Sequence, residues 1–190
     1  MDRPTDSSGA SRILTVGLLT GLSLTLSVAE NALPLPLPGV KPGLANAVTL
    51  LALLLYGPKT AWPVLILRLL LAGLFSGNFF AFGCSVAGGV TAMAVMTGLL
   101  RLFGDEISTP AVSAAGAVTH NGAQLLFVVA LLKSPALLAY LPVLVGFGLV
   151  SGLSVGLLAG WTAGRLLRIR GDGRTSCNDG TPAERPQRGR

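Results

Sequence analysis

The sequence contains few charged residues. Only 12% of its 190 residues are Asp, Glu, Lys or Arg, whereas 51% are hydrophobic and the mean hydropathy is +0.69. A soluble domain usually has about 25% charged residues. The shortage of charge therefore excludes an ordinary soluble domain. Several apolar runs approach or exceed the roughly 20 residues that cross a bilayer. We predict an all-α, polytopic protein of the cell membrane.

Metal-binding, redox and nucleotide motifs are also missing. The two cysteines, Cys84 and Cys177, lie far apart, and no CxxC or Cys/His spacing occurs. Zinc and dithiol motifs are thereby excluded, and one histidine alone does not make a metal site. The chain also has no GxxxxGK[ST] phosphate loop, so any ATP hydrolysis must come from partners. We expect no metal and no cofactor.

The net charge of +6 does not indicate nucleic-acid binding. Seven of the fourteen Lys/Arg residues lie between Arg165 and Arg190, directly after the last apolar run. No aromatic residues interleave this basic tail, as a single-strand binding platform would require. Basic residues that follow a span are typical of cytoplasmic anchoring. We therefore predict a basic cytoplasmic tail and no nucleic-acid partner.

Proline, glycine and charge divide the apolar sequence into six predicted spans. The spans cover about residues 13–32, 43–57, 60–77, 84–103, 111–132 and 143–167. The first run is too long for a signal-peptide core and is interpreted as a retained helix. The connection 33–42 has four prolines and should be extended. Asn78–Gly83 is interpreted as an aromatic turn, and Pro142 should separate a short interfacial piece from the last span.

Charge asymmetry orients these spans. Eleven Lys/Arg residues fall at the two termini and in the second and fourth connections, against two, Lys41 and Lys133, on the other side. By the positive-inside rule both termini are cytoplasmic. The predicted organisation is a polar segment over 1–12, a six-helix membrane domain over 13–168 and a disordered tail over 169–190.

Two spans carry glycine at every fourth position. Gly17 and Gly21 form a GxxxG motif in the first span, and the last span continues this spacing through Gly152, Gly156 and Gly160. Glycine at this spacing lets two backbones approach closely in lipid. The pattern fits either ordinary packing within the bundle or a docking face for another membrane subunit, and it does not decide between them.

A family resemblance runs through several spans. The segment 37–50 (LPGVKPGLANAVTL) is distinctive, and it is followed in order by LRLLL, SVAGG and GAVTHNGAQ. Together these segments resemble the Gx transporter family, which carries the label heptaprenyl diphosphate synthase component I. Pro42 and Thr119 depart from the family pattern, which usually has an apolar residue and alanine at these positions.

The resemblance implies similarity to the substrate-binding S components of energy-coupling factor (ECF) transporters. Those are six-helix membrane proteins with cytoplasmic termini that capture a vitamin or another micronutrient from outside. A transmembrane coupling subunit and two ATPases drive uptake, and small residues on the first helix dock against the coupling subunit. The resemblance thus assigns Gly17 and Gly21 to docking. It implies a small-molecule substrate, membrane lipid, a coupling subunit and ATPase subunits as partners.

The family label names a synthase, but the sequence lacks the residues for prenyl transfer. Prenyl diphosphate synthases hold magnesium through DDxxD motifs, and hard cations need clustered carboxylates. None of the five aspartates adjoins another, and four of them lie in the terminal segments. No nucleophile–base constellation indicates another enzyme. We predict a non-enzyme. The alternative to a transporter subunit is an accessory or scaffold protein beside an isoprenoid synthase or a redox system.

Four candidate substrate contacts belong to the first three spans and their outer loop. They are Glu30, Lys41, Asn46 and Arg68. Each has a plainer interpretation. Glu30 could pair with Lys41 or be an interfacial charge in water, and Lys41 could be a solvated loop lysine. Asn46 could make a hydrogen bond between helices. Arg68 could have a structural partner such as Glu30, or could snorkel toward the cytoplasmic interface.

The fifth span carries the best polar cluster, His120, Asn121 and Gln124. His120 and Gln124 are four residues apart and Asn121 and Gln124 three apart, so all three share a helix face. Polar groups at membrane depth are costly and are expected to face a protein interior or cavity. We predict a substrate pocket beneath the outer loop, among spans one and four to six. The alternative is a polar seam between helices.

Overall fold

Six α-helices form the framework of the protein. The computed structural model describes residues 7–32 and 43–175. The helices are α1 (Ser7–Ala32), α2 (Leu44–Tyr56), α3 (Pro58–Ser76), α4 (Phe79–Phe103), α5 (Thr109–Leu132) and α6 (Leu141–Thr175), with 3-10 helices at Gly104–Glu106 and Pro135–Tyr140. These ranges contain no β-strand, so the all-α class is confirmed. The predicted start of the tail at 169 falls inside α6, whose backbone stays helical to Thr175.

Helices α2 and α3 end where glycine predicted a turn. Gly57 and Gly77 end α2 and α3 with φ angles of 75° and 60°. Glycine adopts this region without steric cost because it has no Cβ. Pro58 then begins α3, where its missing N–H costs no helical hydrogen bond. Leu141 begins α6 after the second 3-10 helix, so Pro142 lies in the first helical turn rather than in a break.

The aromatic turn predicted over 78–83 is wrong. Asn78 is the N-cap of α4, and its side chain accepts a hydrogen bond from the Ala81 N–H at 3.1 Å. Helix α4 therefore begins at Phe79, and the aromatic residues lie in its first turn. Asparagine is among the preferred N-caps because its short side chain satisfies an otherwise unpaired N–H. The capping signal outweighs the poor helix propensity of successive aromatic residues.

Five helical stretches of the described residues are long and apolar enough to cross a membrane. They cover 9–30, 58–76, 79–103, 109–132 and 135–168, and the last joins the second 3-10 helix to α6. The sixth, α2, has 13 residues. At 1.5 Å per residue it is about 20 Å long, shorter than the roughly 30 Å hydrocarbon core. The protein is thus membrane-embedded. The count of six crossings and the cytoplasmic position of the termini stay predictions.

The helices pack into a ring. Helices α3 to α6 pack in chain order, α6 packs on α2, and α1 packs on both α2 and α3, which also contact each other. Helices α1 and α2 are antiparallel: Arg12 reaches the α2–α3 connection at the Lys59 carbonyl, whereas Glu30 reaches the start of α2. We call the two ends of the bundle the Arg12 end and the Phe79 end.

Helix α6 is held by close backbone contact. A Cβ atom added to Gly152 would lie 2.6 Å from Ala114 Cα, and one added to Gly156 would lie 2.5 Å from Pro110 Cα. Only glycine allows α5 and α6 to approach this closely. For the last span, the glycine spacing therefore reflects packing within the bundle.

Candidate functional site

A cavity of about 110 Å³ lies inside the ring. A water molecule needs roughly 10–15 Å³ of such space, so the cavity has room for several waters or a small solute. All six α-helices contribute lining residues. The prediction that named spans one and four to six was therefore incomplete, because α2 and α3 also line the cavity. Six of the seven predicted substrate contacts line this one space: Glu30, Asn46, Arg68, His120, Asn121 and Gln124.

Arg68 brings a positive charge into the cavity from α3. Its side chain is buried, and Nη1 and Nη2 each donate to Asn46 Oδ1 at 3.2 Å. Asn46 belongs to the first turn of α2, toward the Phe79 end, so the snorkelling interpretation is wrong. Burying a guanidinium is costly, and an amide oxygen orients the group without neutralising its charge. The arrangement holds Arg68 against the cavity wall as a fixed cation.

Glu30 brings a negative charge from the last turn of α1. It is 5% exposed, so the interpretation as a water-exposed interfacial charge is wrong. Its Oε1 accepts a hydrogen bond from the backbone N–H of Leu44, the first residue of α2. Gly43, the N-cap of α2, has no side chain to do this. A carboxylate at a helix N-terminus is stabilised by the helix dipole. Glu30 therefore caps α2 from a different helix.

The α5 cluster divides between two neighbours. His120 and Gln124 pack on Gly88 of α4, where an added Cβ would lie 2.8 Å from Gln124 Cγ and 2.9 Å from His120 Cε1. Asn121 instead donates through Nδ2 to the Leu144 carbonyl of α6 at 3.0 Å. All three line the cavity. The hydrogen bond of Asn121 to α6 fits the interpretation as a polar seam between helices. His120 and Gln124 fit against α4 because Gly88 has no side chain.

Five small hydroxyl residues of the cavity wall were not predicted. They are Ser27, Thr49, Ser85, Ser113 and Ser151. Two carried a periodic signal, because Ser27 is three residues before Glu30 and Ser113 is seven before His120, spacings that share a helix face. Serine and threonine in helices often bond their own backbone, as Thr49 does to the Ala45 carbonyl at 3.3 Å. Because such residues occur in helices without any ligand, serine and threonine are weak indicators of a binding site.

The remaining predicted residues lie elsewhere. Lys41 is outside the described residues. Gly17 and Gly21 are on an exposed face of α1, away from the cavity, and a Cβ added at either would meet nothing within 4 Å. Their neighbours Leu14 and Leu18 are also exposed. This face of α1 is therefore unused by the bundle.

The cavity offers hydrogen-bond donors and acceptors but no metal cluster. Within 7–32 and 43–175, no three His, Cys, Asp or Glu side chains come close enough to hold a metal ion. Apolar side chains such as Leu65, Met93 and Phe147 complete the wall. Apolar walls with a few placed polar groups are typical of small-molecule sites. The arrangement is suited to binding a small polar solute.

The fold and cavity define a class of α-helical membrane protein with a polar chamber inside the bundle. Residues 19–162 match the family described as heptaprenyl diphosphate synthase component I, and the chain belongs to that family. This is the family that the sequence motifs indicated, and the match spans most of the membrane domain. No curated protein and no solved structure matches the chain.

Proposed function

We propose that the chain is the substrate-binding membrane subunit of an ECF-type uptake transporter for a small nutrient. One observation carries the proposal: an otherwise apolar bundle directs polar groups from every α-helix into a single cavity. Polar and charged groups at membrane depth are costly and are typically retained for function. The cavity approaches the Phe79 end, which would face outward if both termini are cytoplasmic.

The same proposal accounts for the unused face of α1. Gly17 and Gly21, flanked by Leu14 and Leu18, present small and apolar groups that pack on nothing in the bundle. We propose this face as the docking surface for a transmembrane coupling subunit. The chain would have no catalytic activity, and separate ATPase subunits would supply the energy, because the sequence has no phosphate loop.

The test is to ask whether the protein retains a solute. The full chain is purified in detergent, and small molecules released by denaturation are identified by mass spectrometry. We expect one solute in near-stoichiometric amount, lost in Arg68→Gln and reduced in His120→Ala. The matched control Leu126→Ala changes a side chain on α5 that is 59% exposed, and should retain the solute. Absence of any retained solute, with no thermal shift from a broad metabolite set, would contradict the proposal.

The family name favours a second candidate, a non-catalytic accessory protein beside a prenyl diphosphate synthase or a redox enzyme. Neighbouring genes and co-purification distinguish the two functions. Coupling-subunit and ATPase genes nearby, with those proteins retained on the tagged chain, would favour transport. A synthase that co-purifies, and whose activity depends on the chain, would favour the accessory role.

A further inference from the structure

The cavity contains one cationic and one anionic side chain, and each makes its hydrogen bonds to a neutral group. The Arg68 guanidinium donates to the Asn46 amide oxygen, and the Glu30 carboxylate accepts from the Leu44 backbone N–H. Both side chains are buried and line the same space. Their partners, Leu44 and Asn46, both lie in the first turn of α2, and each charge makes these hydrogen bonds to a neutral group rather than to the other charge.

Within the described part of the chain, the hydrogen bonds of both charged groups leave some of their capacity unused. A guanidinium has five N–H donors, and the bonds to Asn46 account for two of them. A carboxylate has two oxygens, and Leu44 engages only Oε1. Charges in a poorly polarisable interior interact more strongly with a ligand than they would in water. Because each charge is hydrogen-bonded to a neutral group, a ligand that carries both charges can supply an oppositely charged partner to each.

Among the described residues, the rest of the polar lining has no further fixed charge. It consists of side-chain amides, hydroxyls and the imidazole of His120. A solute with only an anionic group would be attracted by Arg68 and repelled by Glu30, and a solute with only a cationic group would meet the reverse. A solute that carries both an anionic and a cationic group complements Arg68 and Glu30 at once. The limited volume of the cavity restricts the choice to small molecules.

We propose that the cavity binds a small zwitterion, with an acidic group at Arg68 and an ammonium group at Glu30. Free α-amino acids and betaines have this chemistry. The inference rests on the proposed function as a solute receptor and names the charge class of its substrate. It follows from the presence of Glu30 and Arg68 in the lining of one cavity, with each charge hydrogen-bonded to a neutral partner in the first turn of α2.

The experiment compares three sets of probes on the detergent-purified full chain. The first contains glycine betaine and the natural amino acids without a charged side chain. The second contains the N-acetylated derivatives of these amino acids, which are anions, and the third contains their amides, which are cations. We expect at least one member of the first set to raise the thermal unfolding midpoint. Its blocked derivatives should bind at least about tenfold more weakly, because each leaves one buried charge without a partner.

Glu30→Gln sharpens the test, because glutamine keeps an oxygen for the Leu44 N–H while removing the charge. We expect this variant to lose its preference for the zwitterion over the N-acetylated anion. Arg68→Lys retains the charge but not the planar fork that bonds Asn46, and should weaken binding of every anion-bearing probe. Equal binding of blocked and unblocked probes to the unaltered chain would overturn the proposal, as would an unchanged preference in Glu30→Gln.

The retained solute separates this proposal from the receptor function. A co-purified molecule that carries both charges supports both. A co-purified molecule that is neutral, or has charge of one sign, overturns the zwitterion class and leaves the receptor function standing. If no solute is retained and none of the three probe sets shifts the midpoint, both proposals fail.

Discussion

Helices α1 and α6 carry the same glycine spacing and use it differently. In α6, Gly152 and Gly156 lie against the α5 backbone so closely that an added Cβ would collide with it. In α1, Gly17 and Gly21 face outward and meet nothing within 4 Å. A GxxxG motif permits a close approach, but whether a partner is present depends on where the helix lies in the bundle. Helix α6 turns its glycines toward α5, whereas α1 turns Gly17 and Gly21 away from the bundle.

The two helices are also attached differently. Close backbone packing against α5 holds α6, whereas α1 combines apolar packing of Leu19 in the core with polar contacts to its neighbours. Arg12 donates to the Lys59 carbonyl, Ser23 donates to the Ala45 carbonyl, and Glu30 accepts from the Leu44 N–H. These contacts leave the outer face of α1 available for a partner. The glycines of α6 therefore serve packing within the bundle, whereas those of α1 are proposed to serve docking.

The largest expected effect is on α6. Gly156→Val places a side chain where Pro110 Cα is only 2.5 Å from the new Cβ, and backbone cannot move aside as a side chain can. We expect a loss of about 3 kcal/mol in stability, or no folded protein, as in severe overpacking. Thermal unfolding and size-exclusion profiles in detergent provide the measurement. The control Gly146→Val, on the same helix with nothing within 4 Å, should unfold like the unaltered chain. Equal unfolding midpoints for the two variants would contradict the packing role of Gly156 and remove the difference between α1 and α6.

The next effect is on assembly rather than on folding. Gly17→Leu combined with Gly21→Leu meets no clash, so the isolated chain should unfold within about 0.5 kcal/mol of the unaltered protein. Retention of the coupling subunit should fall at least about tenfold, because leucine prevents the backbones from approaching. Gly98→Leu, at an exposed glycine of α4 with nothing within 4 Å, is the matched control. Unchanged retention in the double variant would place the docking surface elsewhere.

A smaller effect tests the polar attachment of α1. Ser23 is fully buried, and its hydroxyl donates to the Ala45 carbonyl of α2 at 3.0 Å. Ser23→Ala should cost about 1 kcal/mol, the usual contribution of one intramolecular hydrogen bond. In α6, Ser154 donates to the Val150 carbonyl of its own helix and is exposed, so Ser154→Ala should leave the midpoint unchanged. A null result for both serines would show that α1 is held chiefly by apolar packing.

The smallest effect concerns a carbonyl that proline leaves without its helical donor. Pro63 lies inside α3 and has no N–H to offer Lys59 O, to which Arg12 Nη2 donates at 2.5 Å. Arg12→Gln should cost about 0.5 kcal/mol, because the contact is exposed. In a Pro63→Ala background the restored N–H can bond Lys59 O, so the same change should cost less. A double-mutant cycle measures the difference, and additive costs would refute the compensation.

Predictions of the site from sequence succeeded for side chains that are unusual at membrane depth. Arg68, His120 and Gln124 stand out in apolar spans, and the structure directs all three toward one cavity. Whether any of the six cavity residues binds a substrate stays a prediction. The serines of the wall were missed because a helical serine is common in packed membrane helices and can bond its own backbone. The N-cap role of Asn78 was missed because the aromatic residues after it resembled an interfacial turn.

The amino-acid sequence by itself determined the membrane class, the approximate positions of the helices and most turns. The length of an apolar run, proline and glycine affect the structure of the segment in which they occur, so no knowledge of the neighbouring helices is needed. Only the tertiary structure decided which glycines touch a backbone, that Asn46 rather than Glu30 holds Arg68, and that Glu30 caps a helix other than its own. These outcomes depend on which helices become neighbours. A periodic pattern shows which face of a helix is polar or apolar, but it does not show which other helix that face will contact.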